Sequence, residues 1–470
     1  MGFLGFGASN KKTINSAASS AAVNTANLYN QLLFSIPYRG MPITTEYNLH
    51  EYTRTYANNS LVFALIDWKA SRASEIRPCL YEIKDKALAK EYRKFNGIYV
   101  SDYERKQLAT LKERSYTEID LSAVSATDLT YGKLKKLFRQ PAPLFSWKQF
   151  VYHYMASRDV AGFCVIWANR VSKSLSKVNI ESLNPLPSHL VQIIGGTQFE
   201  PIQGYKIINA TYQKVLDVDS AFLLRNHSFN YDNQGGFLYG TPRIQAALNE
   251  IDTYKASKLR ELYGFQTGDS TNILFPRDKE VSEAYNQQSP QEKQSFKDVI
   301  LRMFGQKNRH NVAVSGFPLD AIRLDAPLSE SRTQEAQKTI REILGAVWHI
   351  NPVLLGSQEA SSYNNLKEVS KISLRDGVFP EMRELCEALH EFVVQPSLKD
   401  HELQFDYDVF EEFSQDIKYQ SEALRNMDFL SDNEKRAWLD YGPLADAKAD
   451  VPRGLWGDGK VVGMAKEDSK

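Results

Sequence analysis

The sequence predicts an α+β chain in which two long helices carry a small strand-containing module away from a mixed body. Three observations predict it. Over residues 41–240, helical periodicity alternates with short apolar runs of strand length. Gly240-Thr241-Pro242 then opens a helix to about Phe265, and a second helix runs from about Arg332 to Ile350, with residues 266–327 set between them. Past Asn365, a third apolar face continues through Gly377 and Pro380, which should kink it.

In chain order, residues 1–40 pair a short apolar start and Lys11-Lys12 with a stretch rich in Ser, Ala and Asn. Such a segment has little to bury and is expected to be a mobile arm. It has no signal-peptide core, and Phe6 stands where a myristoylation signal needs Ser or Thr. From Asn58 to Ala73, the residues Val62, Leu65, Ile66 and Ala73 mark a helix, and Pro78–Ile83 a strand. Lys84–Arg114 is dense in charge of both signs, as solvated helix faces are. Trp147–Ser157 reads as a helix, Gly162–Ala168 as a buried strand and Leu183–Pro187 as a turn. Strands are expected at Val191–Ile194, Tyr205–Ile208, Lys214–Val218 and Ala221–Arg225. Helices mixed with short antiparallel strands define the α+β class.

For the first long helix, Thr241 is a natural N-cap with Pro242 at the first helical position. Its apolar face is Ile244, Leu248, Ile251, Leu259 and Leu262. The inserted module reads as a strand at Thr271–Pro276 and a Ser289-capped helix to Phe304. Strands at Asn311–Ser315 and Ala321–Leu324 complete a β-α-β unit. Ser331 and Gln334 suit a capping box for the return helix, whose face is Ala336, Ile340, Ile343 and Val347. Asn351 precedes Pro352, so that helix should stop there. A polar loop, Gly356–Asn365, follows. The next helix carries Val369, Ile372, Met382, Leu385, Cys386, Leu389 and Phe392 until Pro396. Leu403–Tyr407 alternates like a strand. Helices at about 411–427 and 431–441 and a loose tail after Asp450 close the chain.

Composition excludes several classes. Lys+Arg and Asp+Glu both number 57, a net charge of zero, which argues against tight sequence-independent DNA binding. A passage along which DNA slides is compatible with neutrality, because strong phosphate contacts would act as a brake. Cys79, Cys164 and Cys386 are isolated, with no disulfide framework and no zinc spacing. No apolar run approaches the roughly 18 residues of a membrane span. There is no phosphate loop ending in Lys-Ser/Thr, no Gly-x-Ser-x-Gly elbow and no His-Glu-x-x-His pair. His390-Glu391 and His401-Glu402 lack second ligands and read as surface histidines. Asp406 and Asp408 share a strand face and could hold Mg²⁺, but no third carboxylate lies at a defined offset. No catalytic residue, metal ligand or cofactor is therefore predicted, and a metal-dependent nucleic-acid enzyme is the rival reading.

Leu238-Tyr239-Gly240-Thr241-Pro242, Trp348-His349-Ile350-Asn351-Pro352-Val353-Leu354-Leu355-Gly356, Tyr363-Asn364-Asn365, Phe379-Pro380 and Leu430-Ser431-Asp432-Asn433-Glu434-Lys435-Arg436 occur in an order that resembles the portal proteins of tailed bacteriophages, of long-tailed type. The resemblance spans roughly residues 50–445. After Pro141 the family commonly has Asn, whereas this chain has Ala142. The resemblance implies a mixed wing over 41–240, stem helices at 241–265 and 328–350, and a clip at 266–327. It further implies a tunnel loop and kinked helix at 351–400, then a wing return strand and a short helical crown within 401–470. It implies a ring at one capsid vertex, usually of twelve copies, made in host cytoplasm and placed in the virion. The partners so implied are double-stranded DNA bound non-specifically, the terminase large subunit, a head-tail adaptor, and the major capsid and scaffolding proteins, with no membrane. The tunnel loop would then be Ser357, Gln358, Glu359, Ser361, Ser362, Asn364 and Asn365, followed by Lys367 and Lys371. Amides and hydroxyls make and break weak phosphate contacts, Glu359 repels phosphate, and the two lysines offer sparse attraction. Another virion structural protein, such as a head-tail adaptor, is the second rival.

Overall fold

A computed structural model describes residues 41–43 and, with short gaps, 47–267. It also describes 272–276, 289–295, 319–323, 333–356, 363–407, 409–413, 429–438 and scattered residues up to 461. The expectations for the arm at 1–40, the strand at 311–315 and the cap at Ser331 lie outside these residues. The chain divides into two units, Met1–Asp406 and Tyr407–Lys470.

The first unit is α+β, as the sequence predicts. Where one helix was expected near Asn58, there are two: α1 (Leu49–Asn58) and α2 (Ser60–Ala73). Asn59 divides them, its side chain accepting from the Leu61 and Val62 amides as an N-cap. Next come β1 (Arg77–Ile83), α3 (Lys86–Phe95), α4 (Asp102–Ser115), β2 (Tyr116–Ile119), α5 (Tyr131–Arg139) and α6 (Trp147–Ala161). Helices α3 and α4 carry the mixed charge run. Helix α6 starts at a capping box, Ser146 with Gln149, and runs four residues past its predicted end to Gly162 at φ 83°.

Strands β3 (Phe163–Arg170), β4 (Ile180–Pro185) and β8 (Ala221–Arg225) form one antiparallel sheet in the order β4-β3-β8; β5 (Val191–Gly195), β6 (Ile202–Asn209) and β7 (Tyr212–Asp217) form another. The segment read as a turn at Leu183–Pro187 is therefore largely strand, because β3 offers it a ladder from Ile166↔Pro185 to Arg170↔Ile180. The body's core is apolar and continuous: Val62, Leu65, Phe163, Ile193 and Tyr239 are buried together with Ile251, Leu344 and Trp348.

The first long helix departs from expectation at its start. Pro242 is extended (ψ 140°), and the helix forms α7 (Arg243–Ala246), breaks at Ala247, then runs as α8 (Leu248–Thr267). Thr241 is held instead by its carbonyl, which accepts from Asn226 Nδ2 at 3.1 Å. Gly240 (φ 79°) and Gly162 lie backbone to backbone; a Cβ on Gly240 would sit 2.5 Å from the Asn226 carbonyl oxygen, so only glycine fits. Strands β9 (Asn272–Pro276) and β10 (Leu319–Arg323) pair antiparallel. Between them Ser289 and Glu292 make a capping box, the Ser289 amide donating to Glu292 Oε2 at 2.9 Å.

The return helix α9 (Thr333–Trp348) packs antiparallel to α8, with Gln337 donating to Glu261 at 2.5 Å toward one end, while toward the other Val347 lines one cleft with Ala246, which lies just before α8. Its buried stripe is Gln337, Ile340, Leu344 and Trp348, one step around from the expected face; Ala336 and Ile343 are exposed. Leu259 and Leu262 on α8 are exposed as well. Helix α9 stops before Asn351. The Ile350 amide bonds the Gly345 carbonyl (2.8 Å) and the His349 amide bonds Ala346 (3.2 Å), a Schellman motif with His349 in the left-handed position at φ 57°.

In the second unit, Glu411–Phe413 is a 3₁₀ turn at the start of the helix expected over about 411–427, and most of 414–428 lies outside the described residues. Helix α12 (Asp432–Trp438) begins at a capping box, with the Ser431 amide donating to Glu434 Oε2 at 2.8 Å and the Glu434 amide to Ser431 Oγ at 3.1 Å. The Ser-x-x-Glu part of Leu430–Arg436 is therefore a helix start.

Candidate functional site

The segment after α9 is built from short pieces. Asn351 caps a 3₁₀ turn, Pro352–Leu355, by accepting from the Val353 amide at 3.0 Å, and its own amide donates to Ser373 Oγ at 3.2 Å. Gly356 ends the turn at φ 81°. Helix α10 (Tyr363–Ser373) then begins. Asn364 and Asn365 consequently belong to its first turn, not to the preceding loop; Asn365 is exposed, and Lys367 and Lys371 are half-buried along the same helix. Ser357, Gln358, Glu359, Ser361 and Ser362 lie outside the described residues.

Pro380 does not break the helix. A π turn, Leu374–Val378, joins α10 to α11 (Phe379–Leu389), with the Phe379 amide bonding Leu374. The wider turn relieves the clash between the proline ring and the carbonyl four residues back. It also brings Gly377 against the end of α9, where a Cβ would meet the Trp348 and His349 carbonyl oxygens at 3.3 Å. A second π turn, His390–Val394, precedes Pro396. Strand β11 (His401–Asp406) returns to pair antiparallel with β1, from Arg77↔Asp406 to Glu82↔His401. The two histidines read as surface groups are half-buried here. The His401 ring lies 2.8 Å from the Tyr131 hydroxyl, and His390 Nδ1 accepts from the Leu403 amide at 3.4 Å. Asp406 ends β11, while Asp408 lies outside the described residues.

Sequence reasoning missed the group that locks these pieces together. Lys69 of α2, fully buried, donates to Asp159 Oδ1 of α6 at 3.0 Å and to Glu381 Oε1 of α11 at 2.7 Å. Arg243 of α7 reaches the same two oxygens at 2.5 and 2.7 Å. Arg158 bonds Glu384 and donates to the Tyr154 hydroxyl at 2.8 Å, which donates on to the Glu381 carbonyl at 3.0 Å. Three cations thus face three carboxylates where the body, the first long helix and the α10–α11 rod meet. Burial alone would raise the Glu381 carboxyl, but Lys69, Arg243 and Arg158 together outweigh it and bring it down to about 2. Burial would lower the Arg243 guanidinium; Asp159 and Glu381 outweigh it, and its pKa is raised. Asp159 Oδ2 and Glu381 Oε2 receive no hydrogen bond among the described residues. An open cleft of about 450 Å³ reaches this cluster, lined by Asn226, His227, Thr241, Pro380 and Glu384. The sequence signal was a lysine on the Val62, Leu65, Ile66, Ala73 stripe, where an unpaired charge could not stay.

Among the described residues no three His, Cys, Asp or Glu side chains are grouped to hold a metal ion, and no helix is long and apolar enough to cross a membrane. The arrangement is one of packed rods pinned at a charged joint. A family model described as phage portal protein matches residues 106–440. The chain belongs to the phage portal protein family. Solved structures agree in fold. One chain, in "Neck of empty GTA particle computed with C6 symmetry", shares 16% identity at a TM-score of 0.57, covering 86% of this chain and 97% of its own. A chain of the neck of the native particle, computed with C12 symmetry, shares 15% at 0.56, covering 86% and 97%. A chain of the virion of a native gene transfer agent particle shares 15% at 0.57, covering 88% and 99%. No curated protein matches the sequence. As a portal protein, the chain is a virion component concerned with phage DNA packaging.

Proposed function

We infer that this portal protein closes into a ring, of twelve copies, at one vertex of a capsid, and that double-stranded DNA passes through it during packaging and ejection. The observation that carries this reading is the α8–α9 pair. Antiparallel and packed along its length, it is joined at its outer end to the strand pair β9–β10. In this reading α8 and α9 are the stem and residues 266–327 the clip. Residues 41–240 with β11 are the wing, 351–400 the tunnel loop and its helix, and the helices after Tyr407 the crown. The clip is the docking site for the terminase large subunit and then for a head-tail adaptor, and the body meets capsid and scaffolding proteins. The protein is made in host cytoplasm. It performs no catalysis; the ATP-driven step belongs to the terminase.

The channel lining is assigned to Ser357, Gln358, Glu359, Ser361, Ser362, Asn364, Asn365, Lys367 and Lys371. The exposure of Asn365 on the first turn of α10 supports this, as does the absence of a strongly cationic balance in a chain of net charge zero. Such a lining holds phosphates weakly enough to let them slide. Electron microscopy of the purified chain tests the proposal. Closed rings with a central hole are expected, and a strict monomer at every concentration would overturn it.

A further inference from the structure

The stem pair leaves two apolar flanks uncovered. On α8, Leu259 (43% exposed) and Leu262 (48%) lie beside the seam that buries Ile251 and Tyr254. On α9, Ile343 (42%) lies with exposed Ala336, Thr339 and Ala346 beside the seam of Ile340 and Leu344. At about 100° per residue, the α8 flank is centred roughly 80° around its helix from the Ile251–Tyr254 seam, and the α9 flank roughly 100° around in the opposite sense from the Ile340–Leu344 seam. Because the helices run antiparallel, offsets of opposite sense send the two flanks to opposite sides of the pair. One flank is bulky, and the other is mostly small. A surface whose complement lies on its own far side builds a head-to-tail contact, and such a contact closes into a ring when the rotation closes.

We propose that the α8 flank of each copy seats on the α9 flank of the next. This contact rests on the ring reading and specifies the surface through which the stems meet. Charge agrees with it. The in-copy register set by Gln337 against Glu261 puts Lys255 about level with Glu342. Both are exposed, Lys255 in line with the bulky flank one turn before Leu259, and Glu342 at the edge of the small one. Side by side in a ring, the two meet as cation and carboxylate at the rim of an apolar strip.

The test uses the full chain. Leu259→Asp and Ile343→Asp should each raise the concentration needed for rings at least tenfold by light scattering, with unchanged circular dichroism. Val215→Asp, at an exposed apolar strand position elsewhere, should leave rings intact. Lys255→Glu and Glu342→Lys should each weaken rings, and the double variant should regain them. If wild-type rings form and both aspartate variants match them, the flank contact is overturned while the ring stands. If the charge variants weaken rings and the double does not recover, the pairing of Lys255 with Glu342 is overturned. A wild-type chain that never forms rings removes the ring and the contact together.

Discussion

Lys69 and Lys86 each hold a carboxylate at nearly the same distance, 2.7 Å to Glu381 and 2.8 Å to Asp400, yet they are physically different objects. Lys69 is fully buried and shares its partners with Arg243; the Lys86 and Asp400 side chains are 79% and 60% exposed. Water replaces the partner of an exposed charge at little cost, whereas a buried charge that loses its partner keeps the whole desolvation penalty. Separation alone therefore says nothing about what an ion pair holds together. The joint at Lys69 fixes three elements from distant parts of the chain, and the pair at Lys86 decorates a helix start.

The largest effect that would break this contrast belongs to Lys69→Met. It leaves Asp159 and Glu381 without their buried lysine, with Arg243 as the remaining direct cation, and a loss of about 3–5 kcal/mol is expected from urea unfolding. A loss no greater than that of an exposed variant would erase the distinction. Acid comes next. Glu381 titrates below the ordinary carboxylate range, so its contribution is complete above the unfolded-state value, roughly pH 4.3, and drains away as pH falls toward 2. That contribution is on the order of 3 kcal/mol. Unfolding midpoints measured between pH 5 and pH 2 should fall steeply for the wild type and more gently for Glu381→Gln. Smallest is Lys86→Ala, which should move the urea midpoint by no more than the error of the measurement, and whatever shift it makes should vanish in high salt.

What the sequence could and could not convey follows the same line. Local signals carried well. Ser289-x-x-Glu292, the apolar run Phe163–Ala168 and the out-and-back helices were readable because each is decided within a few residues. Readings that needed a partner drifted. Leu183–Pro187 looks like a turn until β3 supplies a ladder. Asn351-Pro352 looks like the stop of α9, but the left-handed His349 ends that helix first. Ile343 and Leu259 fit a helical face by spacing, but spacing cannot say whether the cover comes from the same copy. Lys69, Asp159, Arg243 and Glu381 stand far apart in the chain, and only the fold makes them one cluster. For the segment after Gly356, periodicity placed the helix and missed its first residues, because Asn364 and Asn365 read as loop amides and Ser362, of N-cap type, is one of several serines there.

The π turn at Leu374–Val378 has a geometric consequence for the rod it interrupts. One extra residue in a turn rotates everything before it by roughly 100° relative to everything after it. Lys367 and Lys371 can therefore look one way while Met382 and Leu385, further along the same rod, press into the body. Deleting a single residue from that turn would restore an unbroken α spiral and swing the two lysines to a new bearing, with the anchoring half left in place. A rod with such an offset can be held firmly along one side and still present a chosen face to whatever slides past it.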